Sequence, residues 1–268
     1  MKIASYNVNG IRAAERLGMS DWLKNFDADI YCLQEVRADE QVCKDILSKL
    51  REYNAYYNCG GRKGYAGTTI LTKGMPNKIE IGFGKQDDEG RTLSLFFDDF
   101  TLVNSYVPNG NQRLDFKLEY MQKLLEYVEM LKKQNNVIIC SDTNVAYSEK
   151  DCSHPKLSET KSGFLPVERQ RLSKFFGSGF VDAYRQFNPN NQAYSWRSYR
   201  SRQAEGEIGT KFRFDYIMVN DKLLSKLKGC EIPELEYSDH LPIIADLNMH
   251  FEYKKAETQA KGEQLTLG

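Results

Sequence analysis

Short apolar runs that close on a polar residue recur along the chain and read as β-strands. They lie at Lys2–Asn7, Asp29–Gln34, Thr68–Thr72, Thr92–Phe97, Thr101–Tyr106, Val137–Cys140, Tyr194–Trp196, Phe212–Val219 and Ile243–Leu247. A different period governs 113–134, where Leu114, Leu118, Met121, Leu125, Val128 and Leu131 recur at three- or four-residue steps and predict an amphipathic helix. Asp21–Phe26, Asp39–Leu50 and Val167–Phe176 read as shorter helices, and Asp87–Arg91, with its Asp-Asp-Glu-Gly, as a turn between strands. Strands outnumber helices, yet the helices are spread among them. That order predicts two packed sheets with helices on their outer faces, not a purely parallel sheet. The polar stretch 251–268 shows no periodicity and reads as a flexible tail behind a single domain, 1–250.

Composition narrows this picture only modestly. The chain has 268 residues, 41% of them apolar and 28% charged, enough for one α/β domain with a sizeable core. No apolar run approaches the roughly 18 residues of a membrane span, and the opening MKIASYNVNG lacks the apolar stretch of a secretory signal. A monomeric cytoplasmic protein is the expectation. Cys32, Cys43, Cys59, Cys140, Cys152 and Cys230 are scattered, with no C-x-x-C pair and no histidine at ligand spacing. They read as reduced structural thiols, in keeping with an intracellular compartment. Lys+Arg and Asp+Glu both number 37, so the net charge of zero does not by itself favour a polyanionic partner. A polyanion would need a local patch, helped by bound metal.

The chemistry lies where polar residues interrupt the apolar runs. KIASYN ends on Asn7, and DIYCLQ is followed by Glu35. VIIC runs into Ser141-Asp142-Thr143-Asn144, FRFDYIMV carries Asp215, and EYSDHLPII places Asp239-His240 before a strand. Singly each has a plain structural explanation: a helix cap at Asn7, an Asx-turn at Asp142 and Asn144, a turn cap at Asp239. Asp215 is harder to dismiss, because an acid inside an apolar strand costs stability unless it is paired. Strand ends can converge on one rim of a sheet, where loops form a cleft. Carboxylates and amides with one histidine suit a hard, oxygen-preferring ion such as Mg²⁺. No Ser-His-Asp nucleophile pattern, phosphate loop or dinucleotide fingerprint competes with it. Metal-assisted attack of water on a phosphodiester fits this inventory.

These residues also stand in motifs: Ser5-Tyr6-Asn7-Val8-Asn9-Gly10, Leu33-Gln34-Glu35, Arg62-Lys63-Gly64-Tyr65-Ala66-Gly67 and Glu89-Gly90-Arg91. Asn104–Gly110, Ser141–Asn144, Ser162–Pro166, Phe180–Asp182, Arg213–Tyr216 and Ser238–Pro242 continue the series. With these motifs in this order, the chain resembles the exonuclease III family of abasic-site endonucleases, within the deoxyribonuclease I-like superfamily. The resemblance runs from Lys2 to about Leu247 and implies a four-layer α/β sandwich, two packed mixed β-sheets flanked by helices. It implies a DNA repair nuclease that cuts 5′ to abasic sites, with 3′→5′ exonuclease or 3′-phosphodiesterase activity. Its substrate would be duplex DNA with abasic sites or blocked 3′ ends, and its cofactor Mg²⁺, with Mn²⁺ as a substitute.

By the same resemblance, Glu35 is the principal magnesium ligand, with Asn7 and Asp239 beside the metal. Asp142 positions or deprotonates the attacking water, Asn144 holds the phosphate or Asp142, and His240, oriented by Asp215, hydrogen-bonds a phosphate oxygen. Tyr106 contacts the phosphate or stabilises the leaving oxygen. DNA contact is expected from Arg62, Lys63, Tyr65, Trp196, Arg197, Arg200, Phe212 and Arg213, where positive groups interleave with rings.

Several positions depart from the family pattern. Ser141 stands for its glycine, Tyr147 for a histidine, Phe212 for a tryptophan, and Trp196-Arg197 for a Trp-Trp pair. The altered aromatics are those that wall the pocket for a sugar lacking its base, so substrate preference is less determined than phosphodiester cleavage. Two other readings are a superfamily phosphodiesterase for RNA or a phosphorylated lipid or inositol, and a DNA-binding module without catalysis. The closing Gln264-Leu265-Thr266-Leu267-Gly268 loosely resembles the bacterial clamp-binding peptide but lacks its final aromatic.

Overall fold

The structure, a computed structural model, describes residues 1–62, 64–84, 87–197 and 209–255. Lys63, Arg200 and the Gln264–Gly268 peptide, all singled out from sequence, lie outside them. The strands are β1 (Lys2–Asn7), β2 (Ile30–Gln34), β3 (Asn54–Asn58), β4 (Thr68–Thr72), β5 (Lys78–Ile81), β6 (Thr92–Phe96) and β7 (Phe100–Tyr106). There follow β8 (Asn136–Asp142), β9 (Phe180–Asp182), β10 (Trp196–Arg197), β11 (Lys211–Phe212), β12 (Asp215–Asn220), β13 (Leu227–Glu231) and β14 (Ile243–Leu247). The helices are α1 (Ile11–Arg16), α2 (Met19–Phe26), α3 (Glu40–Leu47), α4 (Leu114–Lys132), α5 (Pro155–Ser158), α6 (Pro166–Gly177) and α7 (Ala183–Phe187).

Two six-stranded mixed sheets result, ordered β13-β14-β1-β2-β4-β3 and β5-β6-β7-β8-β12-β9. Each holds one parallel pair, β1 with β2 and β7 with β8, in an otherwise antiparallel ladder. Alternation along a strand fills two different layers. Ile30 and Cys32 point between the sheets and meet Leu93, Leu102, Ile138 and Ile217 of the other sheet. Tyr31 and Leu33 point outward against α2 and α3 through Leu23, Cys43 and Leu47. Val103, Ile139 and Met218 likewise face α4 and α6 through Met121, Val128, Leu172 and Phe175. Because both faces of the central strands are covered, their sequences are apolar runs and not strict alternations. This is the four-layer sandwich expected from the resemblance.

Near the functional rim the two sheets are joined by amides. Gln34 Nε2 donates to Asn104 Oδ1 at 2.8 Å and to Ser5 Oγ at 2.8 Å, while Asn104 Nδ2 donates to the Leu33 and Thr69 carbonyls, each at 3.0 Å. Buried bonds of this kind fix register as well as distance. The expected turn at 87–91 is present: Asp87 Oδ2 accepts from Arg91 N at 2.7 Å and Thr92 N at 2.8 Å. Gly90 there has φ 68°, and a Cβ would lie 2.5 Å from the Asn58 carbonyl oxygen, so only glycine fits.

Some expectations need correction. The run Phe212–Val219 is two strands, broken at Arg213 and Phe214, where the Arg213 side chain turns into the protein. Tyr194–Trp196 contributes only Trp196 to a strand, paired with Phe212 in a two-stranded ribbon. The buried stripe of α4 takes in Lys117 and Tyr120, whereas Leu118 is only partly buried. Nor does the packed chain stop at residue 250: Phe251 sits 5.5 Å from Phe97 and 6.3 Å from Phe100, ring to ring, and Lys254 N bonds to the Lys73 carbonyl. All six cysteines are free thiols. Among the described residues no helix is long and apolar enough to cross a membrane.

Candidate active site

Polar residues at or just beyond the ends of β1, β2, β7 and β8, with those just before β14, line one cleft of about 490 Å³, and Asn7 of β1 and Asp215 of β12 stand behind them. Asn7 closes β1 and is fully buried. Its amide Nδ2 donates to Glu35 Oε2 at 2.8 Å and to Asp142 Oδ2 at 2.7 Å, so one side chain of the first sheet spans acids from both sheets. Its Oδ1 accepts from Asn9 N. Glu35 follows β2 in the left-handed region, φ 56°, with its carbonyl accepting from Gly10 N at 2.8 Å and its Oε1 from the Arg37 guanidinium.

Positive φ marks the site as a whole. Among the described residues the non-glycine positions of this kind are Asn9, Asp27, Glu35, Arg37, Ala66 and Asn144, and all but Asp27 line the cleft. Such conformations are costly and persist only where surrounding bonds impose them. Asp142 and Asn144 illustrate this. Asn144 N donates to Asp142 Oδ1 at 2.8 Å, and Asn144 Nδ2 donates to the Val107 carbonyl at 2.9 Å.

On the far side of Asp142 stands His240. Its Nδ1 meets Asp215 Oδ2 at 2.8 Å, and its Nε2 faces Asp142 Oδ2 at 3.9 Å. Asp215 is also held by Ser195 Oγ, which donates to Oδ2 at 2.6 Å. Burial would lower the imidazole pKa, but the Asp215 and Asp142 carboxylates outweigh it and raise it to about 10. Asp142 is pushed up to about 7, chiefly by burial and further by Asp215, against the opposing pull of His240 and the Asn144 and Asn7 hydrogen bonds. Burial, then the Glu35 and Asp142 carboxylates, holds the Tyr106 phenol well above its ordinary value. The Arg91 guanidinium lies 4.8 Å from the Tyr106 ring centre.

Glu35, Asp142 and His240 each bring a donor atom within 4.8 Å of the other two. The two buried carboxylates crowded together in this way fit a small hard cation, whose charge would oppose the burial that raises Asp142. Asp239 stands beside this trio, its Oδ1 accepting from Asn9 Nδ2 at 2.8 Å and its Oδ2 from Trp196 Nε1 at 3.0 Å.

The ring-bearing wall is a stack. Phe212 and Phe214 lie 4.8 Å apart at 11°, and Trp196 sits 6.0 Å from Phe212 and 5.6 Å from Phe214. Of the basic residues expected at DNA, Arg62 is exposed over the Tyr65 ring at 4.7 Å. Arg197 is engaged by Glu234. Arg213 is not available to DNA: it is fully buried, Nε on Asp151 at 2.7 Å and Nη2 on Asp182 at 2.6 Å. Its basic and aromatic neighbourhood predicts a DNA contact, but two acids distant in sequence draw the side chain inward.

Several cleft residues escaped the sequence reading. Arg91 is 3% exposed and reaches the cleft with Asn9, Arg37, Asn109 and Phe214. Tyr65 OH accepts from Arg91 Nη2 and Arg113 Nη1, both at 3.0 Å. The signal for Arg91 was its position at the head of the apolar run TLSLF, where a charge needs a buried partner.

Comparison with known proteins places this geometry in a family. A model described as the endonuclease/exonuclease/phosphatase family matches residues 4–240. The chain is similar to an exodeoxyribonuclease of Bacillus subtilis, 36% identical over 258 residues that cover 93% of this chain and all (100%) of that one. It is similar to a DNA-(apurinic or apyrimidinic site) endonuclease of Dictyostelium discoideum, 36% identical over 261 residues covering 92% and 71% of the two chains. Among solved structures, an AP endonuclease from Archaeoglobus fulgidus superposes with a TM-score of 0.83 at 27% identity, covering 93% of this chain and 100% of that one.

Proposed function

The chain belongs to the endonuclease/exonuclease/phosphatase family, and on that premise we propose that it is a Mg²⁺-dependent DNA repair nuclease. It cuts the phosphodiester 5′ to abasic sites and trims 3′ ends by 3′→5′ exonuclease or 3′-phosphodiesterase action. The observation that carries this reading is the meeting of Glu35, Asp142 and His240 within 4.8 Å, delivered from both sheets to one cleft. A binding module has no need of buried acids in such proximity. The relatives' activities, an exodeoxyribonuclease and abasic-site endonucleases, support the choice of DNA as substrate.

Glu35 would hold the ion, with Asn7 and Asp239 beside it. When bound, Mg²⁺ supplies Lewis-acid charge to the phosphate. Asp142 is the proton acceptor for the attacking water: its pKa, pushed up to about 7, suits a base working near neutrality. His240, raised to about 10 and fixed by Asp215, keeps its proton and donates a hydrogen bond to a phosphate oxygen. Asn144 steadies Asp142 through its own N–H. Tyr106, held neutral, donates toward the phosphate or the leaving oxygen. Preorganised donors of this kind stabilise charge that develops in the transition state without reorganising at the moment of reaction.

Trp196, Phe212 and Phe214 form the wall against which a sugar without its base rests. Tyr65 lines the cleft with Arg62 over its ring, and these two with Arg197 would contact the DNA backbone. The test is an abasic-site duplex incubated with Mg²⁺ or with EDTA, beside intact duplex, RNA and inositol phosphate. Incision 5′ to the abasic site in the Mg²⁺ arm is expected. Cleavage confined to RNA or inositol phosphate would reassign the substrate, and no cleavage anywhere would end the enzyme reading.

A further inference from the structure

Beneath the cleft lies an ion pair that the chemistry above does not use. Lys117, on the inward face of α4, and Glu168, in the first turn of α6, are both fully buried, with Nζ 2.6 Å from Oε1. Helix packing does not call for them. Apolar residues of like volume in place of such a pair often leave a protein as stable or more so, because two ions must otherwise leave water. What distinguishes this pair is what its remaining atoms hold.

Lys117 Nζ donates to the Asn144 carbonyl oxygen at 2.7 Å. Asn144 is the left-handed residue, φ 50°, whose N–H donates to Asp142 Oδ1. The lysine thus anchors one peptide plane of Asn144 while Asp142 takes the other. Glu168 Oε2 accepts from Gly163 N at 2.6 Å and from Leu165 N at 3.1 Å, and Oε1 accepts from Ser162 Oγ at 3.1 Å. Ser162, Gly163 and Asn144 all line the cleft. The loop after β7 closes over the pair: a Cβ on Gly110 would lie 2.9 Å from Glu168 Oε1 and 2.6 Å from Ser162 Oγ.

We propose that Lys117 and Glu168 are positioning residues for phosphodiester cleavage, clamping the strained turn at Asn144 and through it the aim of the Asp142 carboxylate. This rests on the nuclease reading above and deepens it. Neither residue touches substrate. Their effect is on the orientation of Asp142, where a misplacement of about 1 Å can cost on the order of 10²-fold in rate.

The experiment compares wild type, Lys117→Met, and the apolar double variant Lys117→Met/Glu168→Met on an abasic-site duplex with Mg²⁺, each also in an Asp142→Asn background. Lys117→Met leaves Glu168 with its three other donors. Expected for both variants is a fall of about 10- to 100-fold in kcat with KM within about 3-fold, in protein whose melting curve stays cooperative. In the Asp142→Asn background, where no carboxylate is left to aim, the same changes should cost no more than about 2-fold further, the non-additivity of groups acting through one another. Wild-type kcat in the double variant overturns the proposal. So do losses that simply add to that of Asp142→Asn, or that track the unfolded fraction, since either makes the pair a matter of folding alone. Absence of cleavage by the wild-type protein would instead overturn the nuclease reading, and this inference with it.

Discussion

Asp142 and Asp215 are directly opposed partners in the ladder between β8 and β12. Two acids at one rung of a buried sheet would repel each other, and the imidazole of His240 stands against both, 2.8 Å from Asp215 and 3.9 Å from Asp142. The strand register thereby sets a donor and an acceptor on one side of the cleft, with the division of labour decided by which acid the ring touches.

Asp142→Asn and His240→Ala should each lower kcat by roughly 10²- to 10⁴-fold. Asp142→Asn keeps the side chain's shape, so folding should survive it, whereas His240→Ala takes the shared cation from two buried acids and should lower the melting temperature while the transition stays cooperative. Steady-state kinetics on an abasic-site duplex, with a thermal melt of each variant, measures both. Near-normal turnover in both variants would break the assignment of roles.

Glu35→Gln removes a charge from the proposed ion holder while keeping its shape. The Mg²⁺ concentration for half-maximal activity should rise by about 10- to 100-fold, on the scale seen when a metal-site residue is altered. A Mg²⁺ titration of activity, checked by calorimetry, reads this directly. An unchanged midpoint would place the ion elsewhere.

In EDTA-treated protein the imidazole of His240 should remain protonated at pH 8. Its pKa is raised to about 10 in the folded chain, above the unfolded value of about 6.5. Its contribution to stability is therefore fully present below about pH 6.5 and is lost as pH rises through about 10. Nitrogen-15 NMR of the ring should report two protonated nitrogens at pH 8. Saturating Mg²⁺ should move the titration downward, because a cation beside Asp142 offsets the charge that holds the proton.

At acid pH the Arg213 cluster should govern stability. Burial works against ionised Asp151, but Arg213 and Arg185 outweigh it and hold its pKa below the ordinary value. Its contribution is present above about pH 4 and lost as pH falls through the lower folded value. Arg213→Met leaves two carboxylates without their shared cation and should cost about 3–5 kcal/mol. Urea unfolding at several acid pH values would show the loss, together with a flatter pH slope in the variant.

The parts of this fold that were legible in the sequence are those covered on both faces. β1, β2, β4, β6, β7, β8, β12 and β14 lie inside the sheets and were readable as apolar runs. The strands that went unread, β3, β5, β9 and β13, are the four sheet edges. An edge strand such as Lys78–Ile81 exposes polar residues and carries no continuous apolar signal. The site was legible for the related reason that an acid or amide ending an apolar run is conspicuous. Arg213 misled because its sequence neighbourhood is basic and aromatic, whereas its partners Asp151 and Asp182 are far away along the chain. Lys117 and Glu168 were hidden in helices as ordinary surface-type residues, since a pattern of periods cannot tell a buried ion pair from a solvated one.

The amide of Asn7 joins acids from opposite halves of the sandwich, and that makes assembly a safety catch. A chain emerging from the ribosome carries Asn7 and Glu35 long before Asp239 and His240 exist to meet them. Neither sheet alone owns the full set of cleft groups, so a half-built chain is expected to show no cleavage. Refolding followed by cleavage would register the final docking of the halves, later than any optical probe of strands or helices.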